Sequence, residues 1–226
     1  MHLTFPLFGL LIVMKKLIAV LLCIHLAIPV CEAQLYLAPV AGYQVDINNN
    51  GRFKQISTAL QLNLKKSNYY ELIVLVQKTW PVAAGFSDTA FSQNPSLALF
   101  TAAAKTIRPA SFSIAVGHKV AILGANTNKI VSLLMFSGFT FQKMEVAYQF
   151  DKANYTVLNP DKTLYVDGLY LSWGIEYMRV INNGRLFFQL VAATPPIRKK
   201  INYPASFNFL APLSFNAGYA FQIKSK

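Results

Sequence analysis

Past residue 33 this chain has no cysteine, because Cys23 and Cys31, its only two, both precede that point. That excludes disulfides, thiolate nucleophiles and cysteine metal sites from everything downstream. Histidine is nearly as scarce, with His118 the sole one after residue 33. Acidic side chains number 9 against 21 Lys and Arg, for a formal net charge of +12. All charged residues together make up 13% of the chain, where a soluble domain carries about 25%. Long apolar runs are also missing: after residue 33 each is broken by Gln, Asn, Lys or Ser within a few positions, which excludes spans of the ~20 apolar residues a transmembrane helix needs. Yet 54% of the chain is hydrophobic and its mean hydropathy is +0.37. A closed β-barrel is the other way across a bilayer.

The N-terminal stretch has the order of an export signal. Met14-Lys15-Lys16 is a positive n-region, Leu17 to Val30 an apolar h-region, and Cys31-Glu32-Ala33 ends on a small residue. Cleavage is expected before Gln34, with residues 1–33 removed and Met14 as a rival start to Met1. Lipid attachment at Cys31 is disfavoured by Pro29-Val30 before it. Removing Lys15, Lys16 and Glu32 takes off a net +1, leaving +11. No basic, aromatic-interleaved motif points to nucleic acid; anionic lipopolysaccharide is the simpler partner for surface Lys and Arg.

What the rest of the chain does have is alternation. From Phe207 to Ile223 the odd positions include Phe207, Phe209, Leu213, Phe215, Tyr219 and Phe221, while the even ones include Asn208, Ser214, Asn216 and Gly218. A period of two with one oily and one small or polar face is a strand between lipid and lumen. Seven earlier segments read the same way: 34–46, 53–64, 69–80, 110–123, 129–150, 164–180 and 185–193. Ile56, Leu60, Leu62 and Leu64 face outward in the second, Phe112, Ile114, Val116 and Val120 in the fourth, and Leu169, Leu171, Trp173 and Ile175 in the sixth. The third is apolar on both faces and its facing stays open. In the fifth the oily parity changes from Phe139 and Phe141 to Met144, Val146, Tyr148 and Phe150, so a bulge is expected near Gln142. Asn49-Asn50-Gly51 and Asn182-Asn183-Gly184 are hairpin turns.

The connections alternate as well. Those at 65–68, 124–128 and 182–184 are short, and those at 81–109, 151–163 and 194–206 are long, the pattern of periplasmic turns and outer loops. Tyr43, Phe53, Trp80, Tyr148 and Tyr165 are expected at the outer interface, and Tyr69, Tyr177, Tyr219 and Phe221 at the inner one. Within 81–109, Asn94-Pro95 has the form of a helix start, and Leu97, Phe100, Ala104 and Ile107 fall on one helical face.

With its leader, eight alternating strands and aromatic C-terminal strand, the chain resembles the small outer-membrane β-barrel proteins of Gram-negative bacteria. Its Ala-Gln junction and abundance of Tyr, Asn and Lys resemble the Bacteroidota versions. The resemblance implies an all-β, eight-stranded antiparallel up-and-down transmembrane barrel over 34–226, exported to the outer membrane.

Little catalytic chemistry stands out. His118 shares the lipid face with Phe112 and Val120, and no metal spacing, phosphate loop or serine nucleophile motif is present. No catalytic residue, metal or cofactor is therefore assigned. Lys119, Glu145 and Glu176 fall on the inner face, where an eight-stranded lumen is just wide enough for side chains to fill. The expectation is a non-enzymatic structural or accessory subunit of a surface, secretion or assembly complex, with outer-membrane lipid and other envelope proteins as partners. The candidate partner surface is Leu97, Phe100, Ala104 and Ile107, and the lipopolysaccharide contact is Arg198, Lys199 and Lys200. A small porin or transporter, a lipid-modifying barrel enzyme and a soluble lipocalin-like barrel are the alternatives.

Overall fold

A computed structural model of the chain describes residues 34–46, 53–157, 162–194, 196 and 212–223. The expected leader, the Asn-Gly turn at 49–51, residues 207–211 of the last strand and the cluster Arg198, Lys199, Lys200 lie outside these. Among the described residues there are ten strands: β1 (Gln34–Asp46), β2 (Lys54–Lys65), β3 (Tyr70–Val82), β4 (Ala84–Ser92), β5 (Phe100–Leu123), β6 (Lys129–Gln149), β7 (Tyr155–Thr156), β8 (Lys162–Ile181), β9 (Gly184–Ala193) and β10 (Pro212–Ile223). All pairings are antiparallel.

Eight of them close into a ring in the order β1, β2, β3, β5, β6, β8, β9, β10. β10 returns to β1 with Leu35 opposite Ile223 and Val45 opposite Leu213, so the barrel has no edge. The pairs on either side of Pro39 skip from Leu37–Phe221 to Val40–Gly218, as expected where a ladder donor is missing. Short turns join β2 to β3, β5 to β6 and β8 to β9 at one end. In the last, Asn182 sits in the left-handed region at φ 51°, which asparagine tolerates.

Side-chain parity makes the barrel the inverse of a soluble protein. Ile56, Leu60, Leu62, Val76, Ile114, Val116, Leu133, Leu171, Trp173, Ile175, Leu190 and Phe215 are exposed on the outside, while Gln61, Asn63, Glu71, Ser113, Lys119, Thr140, Glu176, Arg185 and Gln189 are buried within. Such an oily belt is stable only in contact with lipid. A lipocalin-like barrel needs the opposite arrangement, so that alternative falls. The third strand, open from sequence, places Glu71, Ile73 and Thr79 inward.

The belt gives way to outward charges on four neighbouring strands, at Lys54, Lys78, Arg108 and Lys143. Two expectations fail beyond it. No bulge occurs at Gln142; the β5–β6 register runs unbroken from Ala104–Gln149 to Ala121–Ser132 and shifts only between Ala121 and Leu123. Met144, Val146 and Tyr148 are inward and buried. Their oily parity changes because the strand leaves lipid for water, so the outward side becomes polar (Lys143, Glu145) and the inward side apolar. Tyr148 and Phe53, expected in the outer aromatic girdle, are likewise buried inside.

The segment 81–109 is not helical either. β4 and the first half of β5 form a hairpin, paired from Ala84–Ile107 to Phe91–Phe100, with β7 added at Phe91–Thr156. Asn94 begins a turn instead of a helix: its Oδ1 accepts the Ser96 amide at 3.0 Å and its carbonyl accepts the Leu97 amide at 3.1 Å, the local bonding that Asx residues offer in turns. Once the β4 ladder claims these residues, tertiary pairing overrides the helical spacing.

Candidate functional site

The lumen is built from the charges that parity turns inward. Lys119 on β5 lies 2.6 Å from Glu71 Oε2 on β3 and 3.0 Å from Glu176 Oε1 on β8. The Arg185 guanidinium on β9 pairs with Glu71 Oε1 and stacks 3.6 Å from the Tyr36 ring centroid. Gln189 then donates to Glu176 Oε2 at 2.8 Å and to Gln61 Oε1 at 3.2 Å, and Gln61 donates to Asn63 Oδ1 at 2.8 Å. Two cations meet two carboxylates, which is how buried charge is tolerated. Lys119 and Glu176 fall inward as their parity requires, but Glu145 does not. It lies outside, 2.5 Å from Lys143 with both side chains half-exposed. Sequence reading misses Glu71, because β3 is oily on both faces, and Arg185, whose inward parity is available from outward Leu186.

Apolar side chains fill the rest. Tyr36, Ala38, Val40, Ile130, Met178, Phe187 and Ala220 form one buried cluster, and Ile73, Ala115, Leu134 and Phe136 another. A cavity of about 60 Å³ toward the long-loop side and one of about 260 Å³ at the short-turn end share no lining residue. This layer separates them.

Above the belt, the hairpin has a core of its own. Ala90, Ala103, Ile107, Val146, Tyr148, Val157 and Phe53 are buried together, with Phe86 and Tyr155 against them. Along its flank the Tyr148 hydroxyl donates to Asp88 Oδ2 at 3.1 Å, and Lys105 Nζ lies 3.4 Å from the same oxygen. The Thr89 amide, aided by Tyr148 and Lys105, holds the Asp88 carboxyl below its ordinary pKa. The expected partner residues are divided. Leu97 and Phe100 are exposed at and beside the tip, Ala104 is exposed on the outer face of β5, and Ile107 is buried in the sheet core. Leu99, not singled out from sequence, is the most exposed large apolar side chain of the tip at 74%. Phe91 packs edge-on against Phe100, centroids 5.5 Å apart.

His118 faces outward, with the Tyr70 hydroxyl on its Nδ1. Among the described residues no cluster of His, Cys, Asp or Glu could hold a metal.

These features define a membrane-spanning, eight-stranded up-and-down β-barrel. No protein-family model and no curated protein sequence matches the chain. In fold it is similar to the crystal structure of a major outer membrane protein from Thermus thermophilus, with TM-score 0.50, 10% identity, and 84% of this chain and 99% of that one covered. Looser overlays are found with Ail, the attachment invasion locus protein of Yersinia pestis (TM-score 0.45, 9% identity, 84% and 97% covered), and with Neisserial surface protein A (TM-score 0.44, 11% identity, 84% and 97% covered). At such identity the likeness is one of fold, and it lends nothing to the Bacteroidota resemblance.

Proposed function

We propose that the protein is an integral outer-membrane barrel that neither conducts solutes nor catalyses a reaction, and that it holds a binding sheet at the cell surface as an accessory subunit of an envelope complex. The carrying observation is the inversion of polarity along β5 and β6. A strand that is lipid-facing at Phe112 and Phe141 builds, a few residues further on, a water-soluble core around Ile107 and Val146. Rigid strands that project past the membrane are suited to presenting a surface. The tip residues Leu97, Leu99 and Phe100 are its apolar contact, and such exposed clusters are retained where a partner covers them. The separation of the two lumen cavities supports the sealed reading over a porin. Short turns at one end support a periplasmic position for that end, and Arg198, Lys199 and Lys200 are our candidates for contact with lipopolysaccharide phosphates.

The test joins three measurements on the full chain. Membrane fractionation and gel mobility with and without boiling establish the barrel, planar-bilayer recording establishes the seal, and detergent pull-down with wild type against Leu99→Asp/Phe100→Asp establishes the binding surface. Large steady single-channel currents, or a partner retained by the double variant, overturn the reading.

A further inference from the structure

We infer that the cavity at the short-turn end is a binding site for a small anion, a phosphate or carboxylate group. Its volume is about 260 Å³, well above the ~10–15 Å³ a single water needs. Lys65, Glu71, Lys119, Arg185, Asn126 and Ser132 are among its walls. Two of these are donors on ladder neighbours of carboxylates that already face other donors. Lys65 is the direct ladder neighbour of Glu71, whose charge is answered by Arg185 and Lys119, although Glu71 Oε2 has no hydrogen-bond partner among the described residues. Among the described residues Lys65 has no ion pair. Ser132 is the ladder neighbour of Glu176, whose oxygens are held by Lys119 and Gln189. The Ser132 hydroxyl is buried, with the residue 1% exposed, and has no hydrogen-bond partner among the described residues.

The charge count agrees. Lys65, Lys119 and Arg185 stand against Glu71 and Glu176, three cations to two carboxylates, leaving one positive charge beside a polar cavity. A neutral ligand would leave that charge unanswered, and a cation would meet repulsion. An anion gives Lys65 a charge-assisted partner and Ser132 an acceptor, the strong class of hydrogen bond. The Asn126 side chain on the β5–β6 turn adds an amide at the rim.

Isothermal titration of inorganic phosphate and of acetate into the full-length barrel, in an uncharged maltoside detergent, tests this. Saturable binding of at least one anion is expected. Lys65→Met should weaken it about tenfold, the loss of one charge-assisted bond, and Ser132→Ala should weaken it by about threefold, while Lys65→Arg retains it. Heat-dependent gel mobility confirms that each variant is folded. Native mass spectrometry of barrel extracted from membranes separates the sources: a co-purified anionic phospholipid identifies a headgroup, and bare protein that still binds phosphate identifies a free anion. Absence of saturable binding by both anions at millimolar concentration, or unchanged affinity in folded Lys65→Met, overturns the site.

Discussion

Lys119 and Glu176 meet 3.0 Å apart although their strands never touch, since β6 lies between β5 and β8. The pair is a strut across the lumen, and Glu71 on β3 extends it to a third strand. Replacing one member leaves the others buried without their partner.

Lys119→Met should accordingly destabilise the barrel by about 3–5 kcal/mol, the range for breaking a buried pair. Urea titration followed by the heat-shifted gel band measures it. Lys143→Met, which removes a half-exposed pair with Glu145, should leave the urea midpoint unchanged, as is usual for surface ion pairs.

The outer sheet should melt separately from the barrel. Ile107→Asp places an unpaired charge in the small core with Val146 and Tyr148, at a cost of about 4 kcal/mol or more. Limited proteolysis of intact cells should then cleave within 84–110 while the barrel keeps its heat-dependent mobility. Cleavage no faster than in wild type would show that this core does not hold the sheet.

At the tip, Leu99→Asp changes an exposed side chain and Phe100→Asp gives up one edge-on contact with Phe91, so stability should fall by no more than about 2 kcal/mol in all. Partner recovery in a detergent pull-down should fall at the same time. The two readouts separate a contact surface from a structural one.

Acid should loosen the sheet through Asp88. Its carboxyl is held below the ordinary range by the Thr89 amide, the Tyr148 hydroxyl and Lys105. A depressed folded-state pKa adds stability that is complete above the unfolded value of about 3.9 and is lost as pH falls through the folded one. Cleavage by an acid-active protease should rise as pH drops below about 4, and more steeply in wild type than in Asp88→Asn.

The belt is legible in the sequence because lipid on one side and a lumen on the other impose a strict period of two, and Phe112 to Val116 or Leu169 to Ile175 carry it without interruption. The outer sheet is not. Met144, Val146 and Tyr148 read as outward when the oily side of a strand is equated with its lipid side; that equation holds only inside the bilayer. Asn94-Pro95 and the spacing of Leu97, Phe100, Ala104 and Ile107 satisfy a helix locally, and nothing in that segment announces the ladder between Ala84 and Ile107. In the lumen, Lys119 and Glu176 follow from parity, whereas Glu71 is hidden by the oily neighbours Leu72 to Val76 on both faces of β3.

The same two strands must solidify in two solvents, and this gives the molecule an order of events. Inside lipid, the ladder and belt of β5 and β6 can form as soon as the strands are inserted. The cluster of Ile107, Val146 and Tyr148 has a reason to collapse only where water expels it, so it condenses after those residues have crossed. The hairpin core and the lipid belt thus answer to opposite solvents, though one pair of strands carries both.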